Sequence, residues 1–73
     1  MDELEPKIGE YKHYKGGLYR ILMIATHTET AERMVVYQDV HDESLVWVRP
    51  VLMFTDKVIK DGMKIPRFKY TGK

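Results

Sequence analysis

The stretch YKHYKGGLYRILMIAT, residues Tyr11 to Thr26, decides the fold of this chain of 73 residues. Gly16-Gly17 is typical of a two-residue hairpin turn, because such turns need positive φ angles that glycine adopts without steric cost. The run Leu18 to Thr26 that follows is nearly all apolar, with Arg20 as its one charged residue. Both faces of such a strand must be largely covered, as in a strand that bends across a small barrel. We therefore expect this strand to organise the core.

The residues before the glycines predict a short, half-exposed first strand. Tyr11 to Lys15 alternates aromatic side chains with basic or imidazole side chains. A two-residue loop would place Tyr14 opposite Tyr19 and His13 opposite Arg20. These cross-strand pairs form a candidate contact surface beside the turn.

The rest of the chain predicts further short strands separated by turns. Residues 27–33, HTETAER, lack a capping box and predict a polar loop. Asp61-Gly62 is the strongest short hairpin signal in the sequence. The other predicted elements are strands over Met34–Val40 and Leu45–Arg49, one helical turn over Val51–Phe54, and a last strand over residues 66–70, PRFKY.

This pattern is typical of an all-β domain with five or six short strands and at most one helical turn. A small SH3-like barrel is the preferred architecture, because strands that curl let a short chain cover its own sheet. An OB-fold, which usually needs a longer chain, is the alternative. A chain this short makes one domain at most. We expect residues 1–8 to form a flexible polar leader and residues 9–73 to form the barrel.

Composition indicates a cytoplasmic protein. The sequence has no cysteine, which fits a reducing compartment and excludes both disulfides and thiolate-bound zinc. No apolar run approaches the ~20 residues needed to cross a bilayer, so no membrane partner is expected. The first ten residues, MDELEPKIGE, are acidic and polar, unlike a signal peptide.

The net charge of +1 removes the simplest argument for nucleic-acid binding, which would be a strongly basic domain. Charge is nevertheless uneven along the chain. Residues 1–43 carry five Lys and Arg against nine Asp and Glu, whereas residues 44–73 carry seven against two. The basic second half keeps RNA or single-stranded DNA open as an alternative partner, with Arg67 and Lys69 as candidate contacts.

Several short motifs occur in a characteristic order along this sequence. They are GEYKHYKGGLYRIL, HTET within Ala25 to Thr30, VVYQ, WVRP and PRFKY. In this order the chain resembles the bacterial DUF1653 family from about Gly9 to Tyr70, with Thr28 where the family often has serine. The resemblance implies a compact, mostly β domain of the bacterial cytosol. It implies no activity, since the family is defined by sequence alone.

Catalytic and metal sites are not expected. His13, His27 and His41 are too far apart in sequence for a metal-ligand motif, and each falls at a strand end or in a turn. Thr28 lies between His27 and Glu29, but neighbouring residues of an extended chain point to opposite faces. We predict that this loop bonds its own backbone. The sequence therefore predicts no enzyme, no cofactor and no metal.

Aromatic and basic residues interleave in several places, which suits either peptide grooves or single-stranded nucleic acid. We expect Trp47 in the core. Arg49 follows it on the same strand face, held extended by Pro50. We expect it to pair with a carboxylate of this chain, Glu29 or Asp39 for instance, and the alternative is that it faces a partner.

The function predicted from these residues is a non-catalytic binding or adaptor module with a protein or peptide partner. RNA or single-stranded DNA binding is the alternative. An edge strand ending in PRFKY could also pair with its copy, which keeps a weak homodimer open. The candidate binding residues are Tyr14, Tyr19, Arg20, His27, Glu29 and Arg49.

Overall fold

The structure is a computed structural model that describes residues 5–73. Residues 1–4 of the predicted leader lie outside the described residues. The described part contains seven strands and one short helix. In chain order they are β1 (Gly9–His13), β2 (Leu18–Thr26), β3 (Arg33–Asp39), β4 (Val46–Pro50), α1 (Val51–Phe54), β5 (Lys57–Lys60), β6 (Met63–Pro66) and β7 (Phe68–Tyr70).

The strands form two antiparallel sheets. Five strands pair in the order β4-β3-β2-β1-β7, and β5 pairs with β6 as a separate hairpin. The predicted all-β class and the helical turn over Val51–Phe54 are confirmed. The predicted closed barrel is not found within residues 5–73, where β4 and β7 are both edges of the larger sheet.

The predicted last strand is divided, which explains why the chain has more strands than the five or six expected. Pro66 ends β6, and Phe68 begins β7 at the edge of the other sheet. Arg67 joins the two sheets because its amide donates to the Asp56 carbonyl at 3.1 Å and its carbonyl accepts from the Tyr14 amide at 3.0 Å. The two backbone hydrogen bonds of Arg67 therefore fix the point at which the chain leaves β6 and enters β7.

The turn between β1 and β2 falls at the predicted glycines but is longer than expected. Residues 14–17 lie between the strands, and Gly16 and Gly17 have φ angles of 102° and 81°. The longer loop shifts the register, so that Tyr11 lies opposite Tyr19. The predicted pairs of Tyr14 with Tyr19 and His13 with Arg20 are therefore wrong.

The core lies on one face of the five-stranded sheet, under α1. Residues directly opposite each other on antiparallel strands point to the same face, so the register assigns each side chain to a face. Helix α1 covers this face, with Phe54 stacked on Phe68 at 4.0 Å between ring centroids. The buried apolar residues are Tyr11, Ile21, Val35, Tyr37, Val51, Phe54 and Phe68.

The other face of the sheet is more open than the apolar β2 sequence predicts. Met23, Val36 and Val48 lie opposite one another across β2, β3 and β4. Met23 is 53% exposed and Val48 is 63% exposed. The expectation that both faces of β2 are covered is therefore wrong at Met23, because the sheet does not curl into a barrel.

Candidate binding site

A pocket of about 240 Å³ opens on the core-bearing face of the five-stranded sheet, beyond the buried residues. Every strand of that sheet contributes at least one side chain to it. We call it the aromatic pocket. Its lining residues are His13 from β1, Tyr19 from β2, Tyr37 from β3, Trp47 and Arg49 from β4, and Phe68 from β7.

Strand register brings these residues together. His13 lies opposite Phe68, and Tyr37 lies opposite both Ile21 and Trp47. The rings then meet at close range and steep angles: the Tyr19 centroid is 5.7 Å from Trp47 and 5.8 Å from Phe68, at 67° and 83°. Such edge-to-face contacts are the favoured geometry of aromatic pairs and hold the walls in place.

Trp47 forms the outer wall rather than part of the core. Its side chain packs against Tyr37 at 5.6 Å yet remains 38% exposed, so the prediction of a core tryptophan is wrong. The reason is its position on β4, which is an edge strand and has neighbours on one side only.

Arg49 supplies the positive charge of the pocket. Its Nε donates to the Tyr37 hydroxyl at 3.3 Å, and its guanidinium carbon lies 5.7 Å from the Phe68 ring centroid. The predicted ion pair with Glu29 or Asp39 is wrong. Asp39 instead accepts hydrogen bonds from the amides of His41 and Asp42. Within residues 5–73, Arg49 makes no ion pair.

His13 also lines the pocket and contributes an imidazole. Its Nδ1 accepts a hydrogen bond from the Lys15 amide at 3.1 Å, so in the neutral ring the proton is on Nε2. Partial burial lowers the pKa of His13, and the positive charges of Arg67, Arg49 and Lys15 lower it further. His13 is therefore a neutral hydrogen-bond donor around neutral pH.

Two of the six predicted binding residues, Tyr19 and Arg49, line the aromatic pocket. Tyr14 lies in the β1–β2 turn beside a different cleft. Arg20 points to the opposite sheet face, where its guanidinium lies 3.8 Å from the Glu10 carboxylate.

His27 and Glu29 lie in the β2–β3 loop, at the far end of β2 from Tyr19. Seven residues separate Tyr19 from Thr26, roughly 23 Å at the usual rise of a strand. The Nδ1 of His27 accepts from the Glu29 amide, and Thr30 Oγ1 accepts from the Glu32 amide. The prediction that this loop bonds its own backbone is confirmed, but it does not join the pocket.

A second cleft of about 350 Å³ bears on the nucleic-acid alternative. Lys12 and Lys69 lie directly opposite each other on β1 and β7 and both line it. Arg67 is not free in the same way, because its Nε donates to the Asp56 carboxylate at 2.6 Å. The complete lining is Lys12, His13, Tyr14, Ile65, Pro66 and Lys69.

The sequence reasoning missed four of the lining residues as parts of one site: His13, Tyr37, Phe68 and Trp47, the last of which was expected in the core. The alternation in WVR correctly placed Trp47 and Arg49 on one face of a strand. The pairing of β7 with β1, which joins Phe68 to His13, has no local sequence signal because the two strands are more than fifty residues apart.

Residues 5–73 contain no group of three or more His, Cys, Asp or Glu residues that could hold a metal ion. In the same residues, no helix has the length and apolar character required to cross a bilayer.

Comparison with known proteins shows the family to which this chain is related. Residues 9–70 match the family model described as a protein of unknown function, DUF1653. A crystal structure of a DUF1653 protein from Bordetella bronchiseptica aligns with a TM-score of 0.83 and 32% sequence identity, over 92% of this chain and 88% of that one. No curated protein sequence matches significantly. This chain therefore belongs to the DUF1653 family.

Proposed function

We propose that this protein is a non-catalytic binding module that holds an extended segment of a partner protein along β4, with one side chain in the aromatic pocket. The observation that supports this most directly is the position of Trp47. It is a partly exposed wall of the pocket and also lies on an edge strand. Exposed tryptophan and arginine in a concave site are typical anchors of protein interfaces.

The backbone of β4 suits strand addition. The Asp39 amide donates to the Leu45 carbonyl at 3.0 Å, which makes Asp39 and Leu45 a hydrogen-bonded pair. Because such pairs alternate along an antiparallel ladder, Trp47 and Arg49 direct their backbone groups toward β3. Val46 and Val48 then direct theirs outward. An added strand can bond to these two residues while its alternate side chains face the pocket.

The lining of the pocket argues for binding rather than catalysis. Among residues 5–73, those that line the pocket include neither a carboxylate nor a serine, threonine, cysteine or lysine. His13 is therefore without the nucleophile or acidic partner that general acid–base and nucleophilic mechanisms usually require. The pocket is also smaller than the ~300 Å³ at which typical small-molecule sites begin.

The nucleic-acid alternative has weaker support. Phe54 stacks on Phe68, and the Arg49 guanidinium also lies over that ring, so Phe68 offers no free platform for a base. Arg67 is paired with Asp56, which leaves Lys69 as the predicted phosphate contact that remains unpaired in the described residues.

Phage display of random linear peptides on the immobilised protein tests this function, with the peptides fused through their N-termini so that their carboxyl termini are free. We expect enriched peptides to bind wild type and to lose binding to Trp47→Ala, while Met53→Ala, an exposed change on α1, leaves binding intact. Val48→Pro removes the outward amide and should also abolish binding. Circular dichroism verifies that each variant is folded.

Two results would overturn the proposal. One is a set of peptides whose binding is insensitive to both Trp47→Ala and Val48→Pro. The other is NMR shifts with a pool of short single-stranded oligonucleotides that centre on Lys12 and Lys69 and vanish as salt rises, which would favour nucleic acid.

A further inference from the structure

We propose that the group held in the aromatic pocket is the carboxyl-terminal residue of the partner, with its apolar side chain among the rings and its carboxylate on Arg49. This inference rests on the proposed function and specifies its ligand. Arg49 and His13 both line a cavity whose lining, within residues 5–73, includes no carboxylate. An anionic group on the ligand would complement the positive charge of Arg49.

Arg49 determines the sign of the charge that the ligand must carry. Pockets lined by aromatic rings often receive cations over a ring face. Here the guanidinium of Arg49 already lies over Phe68. A second cation would be repelled by it, whereas a carboxylate can accept hydrogen bonds from the terminal nitrogens of Arg49, since the bond to Tyr37 uses Nε.

His13 supplies a second donor in the pocket lining. Its Nδ1 accepts from the Lys15 amide, which leaves Nε2–H as the donor of the neutral ring. Arg49 and Arg67 are among the charges that disfavour protonation of this imidazole. A bound carboxylate would counter them, so ligand binding should raise the pKa of His13 and provide a spectroscopic readout besides affinity.

The size of the pocket favours a chain terminus over an internal acidic residue. About 240 Å³ accommodates little more than one residue. In an extended segment, neighbouring side chains point to opposite faces, so an Asp beside the anchoring residue would turn away from the pocket. A carboxyl-terminal residue carries its apolar side chain and its carboxylate on the same Cα atom and can present both.

Three short peptides test the assignment by NMR titration of the ¹⁵N-labelled protein. They are acetyl-Val-Val-Phe with a free carboxylate, the same peptide as its C-terminal amide, and acetyl-Val-Asp-Phe-amide, which carries an internal acid. We expect the free acid to shift the Trp47 indole and His13 signals and to bind about tenfold more tightly than either amide, the effect of a charged hydrogen bond.

Arg49→Met keeps an unbranched apolar stem under the charge and should abolish the preference for the free acid. Arg20→Met removes an arginine from the opposite sheet face and should leave that preference unchanged.

Each alternative result has a separate meaning. Equal binding of the free acid and its C-terminal amide at the pocket would refute the proposal that Arg49 binds a carboxylate, while leaving the proposed binding module in place. Equal binding of the free acid and the internal Asp peptide would refute the proposal that the carboxylate belongs to a chain terminus. Absence of shifts with all three peptides, in a protein that also selects no phage peptide, overturns the proposed function itself.

Discussion

Phe54 and Phe68 lie in nearly parallel planes, with ring centroids 4.0 Å apart and 3° between the planes. Phe54 is on α1, and Phe68 is on β7, at the far edge of the sheet from the strand that precedes α1. This single stack therefore ties the helical turn to the last strand. It also fixes the Phe68 ring that Arg49 overlies in the aromatic pocket.

Replacing Phe54 with alanine should remove the stacking contact with Phe68 and destabilise the fold. Phe54 is 1% exposed, and a fully buried phenylalanine costs about 3–5 kcal/mol of unfolding free energy when truncated to alanine. Urea denaturation measures the loss. Leu52→Ala, at a neighbouring residue of α1 that is 71% exposed, should cost far less. Equal losses for the two variants would contradict the packing described.

Gly17→Ala should destabilise the protein more than Gly62→Ala. Both glycines have similar positive φ angles, 81° and 78°, so both substitutions carry about 1 kcal/mol of backbone strain. An added Cβ at Gly17 would meet the Tyr19 ring at 3.1 Å, whereas at Gly62 it meets no heavy atom within 4 Å. Thermal denaturation of the two variants measures the difference. A Gly17→Ala protein as stable as Gly62→Ala would contradict this explanation.

The Arg67–Asp56 pair should contribute modestly to stability. The guanidinium makes bonds of 2.6 and 3.3 Å to the two carboxylate oxygens, but both side chains are partly exposed. A double-mutant cycle with Arg67→Met and Asp56→Asn should give a small stabilising coupling energy, as for surface pairs with good geometry. A coupling energy of zero would show that backbone bonds alone hold the chain between β6 and β7.

Stability should fall as the pH drops below about 6.5, in part because of His13. The pKa of this imidazole is lowered in the folded state, so the unfolded chain binds a proton more readily. This loss of folding stability is absent at a pH well above the ordinary histidine pKa of about 6.5, and it is complete at a pH below the lowered pKa of His13 in the folded protein.

Denaturation midpoints at pH 8 and pH 5 measure this effect of His13. We expect a smaller decrease in His13→Gln than in wild type. His41→Gln, an exposed change in the β3–β4 turn, serves as the control. A His13→Gln protein with the wild-type pH dependence would contradict the assignment.

The local parts of the fold could be predicted from sequence because their causes are local. Glycine at positions 16 and 17, the Asp61-Gly62 dipeptide and β-branched runs set turns and strands through backbone sterics. The helical turn over Val51–Phe54 followed from Pro50 and a short apolar run. The same reasoning failed at the β1–β2 register, because loop length depends on hydrogen bonds within residues 13–17 that composition does not specify.

The aromatic pocket could not be predicted in full, because it depends on contacts between residues that are far apart in the sequence. Sequence alone predicted the mainly β class of the domain, and two of its candidate binding residues, Tyr19 and Arg49, line the aromatic pocket. Only the tertiary structure placed β7 beside β1, brought Phe68 to His13 and left Arg49 without the acidic partner expected for it. Strand order is decided by which apolar faces can be buried together across the whole chain, and that energy is non-local, whereas turn geometry is decided within a few residues.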